Sequence, residues 1–243
     1  AIADNTGGTP DADITNIYTM SSNALTIPTL KSLVVWNGSP YSPGGAVTMN
    51  GTGVTVQANG TYTTGTAATD INGTLTVLGN FVHGTSTLNL SGDMRVDAGG
   101  TFTESANGSL FTLDGYLTIE DEVGISLGQI EISRSPDINV TISGTLITDK
   151  ITIGTGETLI LSGFNLFVGT GGLFMHGHLN GADYNSSAST IVASGAWISS
   201  GTGDFIAGTS TVRFGGSSNS YDIVASGSFF NLTINGTGAT YIA

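Results

Sequence analysis

The chain has no cysteine and only five basic residues, and just 9% of its residues are charged. Without cysteine there is no disulfide framework and no thiolate metal site. The five bases, Lys31, Arg95, Arg134, Lys150 and Arg213, stand against 18 acids, for a net charge of −13. They are scattered rather than clustered, which makes nucleic acid and anionic membrane poor partners. Long apolar runs are missing too: nothing approaches the ~18 residues of a helical membrane span. The chain starts at Ala1 without a basic or apolar leader. A processed, exported protein is expected to look like this, as is a trimmed one.

Glycine (37 residues), threonine and serine fill the space that charges usually take. Threonine suits a pleated, half-exposed surface, and glycine suits tight bends. Between Ile71 and Thr148 one pattern is written four times: INGTLTV, LNLSGDMRV, FTLDGYLTI and INVTISGTLIT. In the second copy Leu88, Leu90, Met94 and Val96 share one parity, and Asn89, Ser91, Asp93 and Arg95 share the other. That period of two is a strand with one buried face. Gly92 falls on the buried parity, as do Gly73, Gly115 and Gly144 in the other copies. A glycine recurring at one point of a strand repeat reads as a corner where the backbone bends round a narrow core.

The pattern extends outward from these copies. VTMNGTGVTV around Gly51 is a degenerate copy, and LILSGFNLF around Gly163 is a fifth, with Asn165 at an inward place where a bulge or an amide stack is expected. IVASGAW from Ile191 and IVASGSF from Ile223 continue the series through Gly195 and Gly227. A fixed local pattern at irregular spacing suits a parallel β-helix whose loops vary in length. The fold expected is all-β, a right-handed parallel β-helix (β-solenoid) of about eight turns at ~4.8 Å per turn, with a less regular N-terminal segment. Residues 1–30 are expected as an extended arm and 31–243 as the solenoid repeats. No amphipathic helix caps either end, and the residues up to Ala243 keep a strand pattern. An unpaired terminal turn exposes backbone donors and acceptors, so the expectation is either that the chain is a piece of a longer one or that this end meets another subunit.

The phrases FIAGTSTVRF (Phe205 to Phe214) and FFNLTIN (Phe229 to Asn235) carry a family resemblance. The segment from Trp197 to Ile242 resembles repeats of secreted β-helix surface proteins of bacteria and archaea, among them adhesins and filament components. The resemblance implies architecture and location, not chemistry. It leaves an extracellular or cell-surface structural protein as the expected function, self-assembling head to tail by strand addition with identical subunits as partners.

Candidate chemistry is sparse. Asn-x-Ser/Thr occurs at Asn37, Asn50, Asn59, Asn72, Asn89, Asn107, Asn139, Asn185, Asn231 and Asn235, each a possible N-glycosylation site in an exported chain. His176 and His178 are the one local histidine pair, with Asp183 the nearest acid; a surface loop is the reading preferred over a metal site. Glu120, Asp121 and Glu122, with Asp114 nearby, offer oxygens for Ca²⁺ but lack the spacing of a calcium repeat, so a solvated turn is expected and no cofactor is assigned. Two alternatives to the structural reading remain. A carbohydrate-binding adhesin would use Tyr116, Tyr184 and Tyr221 to stack on surface glycans. A polysaccharide lyase or hydrolase would need two carboxylates on one groove. Asp93 and Asp114, read as equivalent positions of adjacent copies, are the best pair for it, yet no substrate-binding cluster accompanies them; the chain is not expected to be an enzyme.

Overall fold

The computed structural model describes residues 11–14, 18–20, 25–27, 32–36, 40–104, 110–121, 126–134, 136–182, 188–215 and 222–235. The protein is all-β, with parallel strands stacked as a β-solenoid of about eight turns. The chain divides into two compact units, Ala1–Ile125 and Ser126–Ala243.

Each turn of the first unit has three faces. One ladder runs through Asp11–Ile14, Ser32–Val35, Gly53–Val56, Thr74–Val77, Met94–Val96 and Leu117–Asp121. A second runs through Tyr18–Met20, Pro40–Pro43, Thr61–Thr63, Asn80–His83 and Thr101–Glu104, and a third through Leu25–Ile27, Val47–Met49, Thr69–Ile71, Leu88–Leu90 and Leu110–Leu113. Three of these strands lie within residues 1–30, the stretch expected as an arm, and pair in parallel with the strands of the next turn.

The parallel register stacks like on like. Leu33, Val54, Leu75, Met94 and Ile119 form one buried column, and Val35, Val56, Val77 and Val96 form another. Every such side chain contributes roughly 1.5–3 kcal/mol of burial before chain entropy opposes it. The second face adds an aromatic column: Tyr41, Tyr62, Phe81 and Phe102 follow one another with ring centroids 5.3, 5.0 and 5.1 Å apart.

Glycine is required at the corners because a neighbouring turn lies directly alongside. A Cβ on Gly92 would come within 2.5 Å of the Gly73 carbonyl, and one on Gly73 within 2.5 Å of Thr52 backbone; on Gly115 it would overlap the Ser91 carbonyl oxygen. Gly51, Gly73, Gly92 and Gly115 all link a third-face strand to a first-face strand, as the repeat implied.

The second unit also has three faces, but its corners are drawn differently. Asn139–Ile142, Thr158–Ile160, His178–Asn180 and Asp204–Ile206 form one ladder. The long strands Leu146–Ile153 and Leu166–Met175 each run across two faces, with a register shift between Thr148 and Lys150. Their leading halves continue into Thr190–Ala193, Thr211–Phe214 and Asn231–Ile234. Their trailing halves pair with Gln129–Ile132 on one side and with Trp197–Ser199, then Ile223–Val224, on the other. Hence Gly144 and Gly163 leave the first of these ladders, whereas Gly195 joins the other two. The later glycines of the sequence series do not mark one corner. Asn165 builds no amide stack: its Oδ1 accepts from Thr190 N–H at 3.0 Å and its carbonyl from Leu146 N–H. The core residues expected from parity, Leu88, Leu90, Met94, Val96, Phe111, Leu113, Leu117 and Ile119 in the first unit and Val140, Ile142 and Leu146 in the second, are all buried.

Candidate functional site

Outward side chains also stack turn on turn, and most polar groups of interest are engaged in doing so. The residues before the first-unit corner glycines form a ladder. Asn72 Nδ2 donates to Asn50 Oδ1 at 2.9 Å, and Ser91 Oγ shares its one hydroxyl proton between Asp114 Oδ1 and, at 3.3 Å, Asn72 Oδ1. On the third face Asn89 Nδ2 donates to Asp70. The identity of corner residues thus decides which outward groups meet.

That geometry separates the two carboxylates considered for hydrolysis. Met94–Val96 and Leu117–Asp121 each start two residues after their corner glycine, but the register is offset by two, so Met94 pairs with Ile119 rather than Leu117. Asp93 therefore faces Thr118, whose backbone N–H it accepts at 2.7 Å, while Asp114 sits against Ser91. The two are not equivalent positions, and each closes a neighbouring turn.

The other sequence candidates fall out as follows. Glu120 lies 3.7 Å from Arg95 Nη1, and Arg95 also pairs with Asp97. The side chains of Asp121 and Glu122 lie outside the described residues, as do Asp183, Tyr184, Tyr221, Asn37, Asn107 and Asn185. His176 and His178 flank Gly177 at a corner and diverge in their partners. His176 Nδ1 meets Ser200 Oγ at 2.7 Å, and His178 Nδ1 meets the Asp204 carboxylate one turn on. Among the described residues no group of three or more His, Cys, Asp or Glu side chains is placed to hold a metal ion. Tyr116 is 67% exposed.

Three features were not legible as sites. Glu157 is buried, and its two carboxylate oxygens accept the backbone N–H groups of Arg134 and Ile138, each at 2.7 Å. It bridges both ends of a loop one turn away; its sequence context, Gly-Glu-Thr, resembles a plain exposed turn. His83 is buried between Phe102 and Phe111, with Nε2 2.8 Å from the Ser86 carbonyl. Burial lowers its pKa, against the opposing pull of the Ser86 carbonyl and Glu104. Beside it, burial pushes the Tyr41 phenol up to about 12 and the Tyr62 phenol higher still, with the Tyr41 charge adding to the burial of Tyr62.

The third is a groove of about 300 Å³ on the second unit. Ile147, Phe167 and Val192, stacked in register on successive turns, form its floor. Asp149 and Ser194 stand at its edge. The alternation rule alone places these three apolar residues on the outward parity, where a polar residue is expected.

No family model, no curated protein and no solved structure matches the chain.

Proposed function

We propose that this chain is an extracellular structural protein, a filament or cell-surface subunit that joins its neighbours head to tail by strand addition. The observation that carries the reading is the exposure of the last described strand, Asn231–Ile234. Leu232 continues the inward column of Ile191 and Val212, yet it is 46% exposed. Val224 and Phe230 nearby are 56% and 62% exposed. Asn231 N–H and Asn235 N–H point back at the preceding strand, to the Ser210 and Phe214 carbonyls. By strand alternation the N–H groups of Leu232 and Ile234 point the other way, where no described strand pairs with them. An added parallel strand would satisfy those groups and cover the apolar column in one step. A heterologous joint of this kind, repeated without closing, gives a fibre. Further support comes from the outward carboxylates and amides, which hold turn to turn rather than converging on a substrate. The cell-surface setting rests on the sequence resemblance and the low charge.

The test is sedimentation velocity and negative-stain microscopy of the purified chain over a concentration series. The wild type is expected to form fibres that lengthen with concentration. Leu232→Pro removes an outward-pointing donor while leaving the bonds to the preceding strand, and is expected to give single subunits with an unchanged circular dichroism spectrum. Deleting residues 1–30, which removes the strands of the first turn, is expected to shorten the fibres as well. A wild type that stays monomeric at every concentration overturns the reading. So do full-length fibres from Leu232→Pro.

The groove over Phe167 favours a second reading, a carbohydrate-binding surface module. An aromatic floor with a carboxylate and a hydroxyl at its edge suits a sugar ring, whose C–H face stacks while its hydroxyls hydrogen-bond. Glycan binding lost in Phe167→Ala, without turnover of the glycan, would favour this reading.

A further inference from the structure

We propose that Asn59 is the preferred N-glycan acceptor of the folded chain. The ten sequons are alike in sequence; the fold makes them unlike. An acceptor amide must be free of competing hydrogen bonds at both its atoms, and must stand clear of a paired strand so that a bulky group finds room.

Most described sequons fail one of these conditions. Asn72 is held at both ends of its amide, by Asn50 and by Ser91. Asn50 Oδ1 belongs to the same ladder, and Asn89 Nδ2 is given to Asp70. Asn231 Nδ2 leans on Thr211 Oγ1 at 3.5 Å. Asn139 itself lies in the strand Asn139–Ile142, paired with Thr158. The sequon of Asn235 runs beyond the described residues.

Asn59 differs at the acceptor itself, although the rest of its sequon is part of the fold: Gly60 is buried and Thr61 pairs with Pro40 and Asn80. Asn59 is exposed at a turn tip, and its side chain makes no hydrogen bond with another described residue. Its φ is +62°, a left-handed conformation that asparagine tolerates at a turn. Thr61, the third residue of the sequon, begins the strand Thr61–Thr63. Alongside lies an uncharged depression of about 200 Å³, lined by Asn59, Thr61, Asn80, Thr101 and glycines of successive turns. Those amides and hydroxyls are the hydrogen-bonding chemistry that a first, neutral sugar residue requires.

The transfer balances with a lipid diphosphate-linked oligosaccharide as donor. Asn59 Nδ2 forms the bond to the anomeric carbon, the bond from that carbon to the diphosphate oxygen breaks, and the diphosphate leaves with the electron pair. The amide gives one proton to a base of the transferase. The proposal takes its setting from the extracellular reading, but its test does not depend on export or on fibre formation.

Purified, folded chain is incubated with an oligosaccharyltransferase and its lipid-linked donor, and the modified asparagines are mapped over time by peptide mass spectrometry. Asn59 is expected to be modified first, at least about fivefold faster than Asn72 or Asn89, the factor set by freeing an amide from one net hydrogen bond. Thr61→Ala should abolish modification of Asn59, and Thr61→Ser should restore it. Asn59 left bare, or Asn72 and Asn89 modified as fast as Asn59, overturns the proposal. A repeat on urea-unfolded chain should erase the preference; a preference that survives unfolding would place it in the local sequence, and would equally overturn a role for the fold.

Discussion

The corner glycines are the residues on which the turn depends most sharply. Gly115 lies against the Ser91 carbonyl with no space for a Cβ, whereas Thr118 faces outward. Gly115→Val is expected to cost at least about 3 kcal/mol, since it must push the neighbouring turn away, and Thr118→Val less than about 0.5 kcal/mol. Urea unfolding of the two variants measures the difference; equal costs would contradict the close stacking. Buried titrating residues give the molecule a pH window. The His83 pKa is lowered in the fold, so its contribution is intact above the ordinary value of about 6.5 and is lost as pH falls through the folded value. The Tyr41 pKa is raised, so its contribution is intact below about 10 and is lost as pH rises through about 12. Melting temperature followed from pH 4 to 12 should fall at both ends. His83→Leu should remove the acid limb of the first unit, and Tyr41→Phe should soften the alkaline one.

At the scale of the strand and loop, Glu157 makes a specific prediction. Its carboxylate holds Arg134 N–H and Ile138 N–H, so Glu157→Gln replaces one acceptor by a donor that cannot bond there. A cost of about 1.5–3 kcal/mol is expected, with amide exchange at Ile138 accelerating more than at Ile151 in the core. Equal exchange at both sites would mean that the bridge contributes nothing local. Strands themselves were legible wherever parity was clean: Leu88, Leu90, Met94 and Val96 alternate as written and are buried. Corners were legible where glycine followed an outward Asn, Ser or Asp, as at Gly73, Gly92 and Gly115. A second corner is marked in the sequence only by Gly-x-aromatic, a signal that parity does not pick out: Gly60 before Tyr62, Gly79 before Phe81 and Gly100 before Phe102. Those glycines abut the Val35, Gln57 and Val77 carbonyls. Asp93 and Asp114 do not pair as parity implies because two extra residues after Gly115 shift the register, and a shift by two leaves no trace in parity. The polar interior of Glu157 and the outward stack of Ile147, Phe167 and Val192 stayed hidden for a related reason: what covers or satisfies a side chain here comes from the next turn, some twenty residues away.

For the whole molecule, stacking explains both the absence of disulfides and the low charge. Each turn is stabilised by the turn on either side, so covalent staples are unnecessary, and interior columns of Leu, Val and aromatic residues replace a globular core. The same logic makes the last described rung the place of greatest interest, because among the described residues its inward Leu232 lacks the cover that Ile191 and Val212 have. Backbone amide exchange at single-residue resolution, compared between dispersed and assembled protein, tests strand addition there most directly. Leu232 and Ile234 N–H should exchange rapidly in dispersed protein and slow by at least about a hundredfold on assembly, as for an amide entering a ladder worth roughly 3 kcal/mol of local stability. Asn235 N–H, already given to the Phe214 carbonyl at 2.8 Å, serves as the internal reference. Rapid exchange at Leu232 and Ile234 in assembled protein would contradict strand addition at this edge.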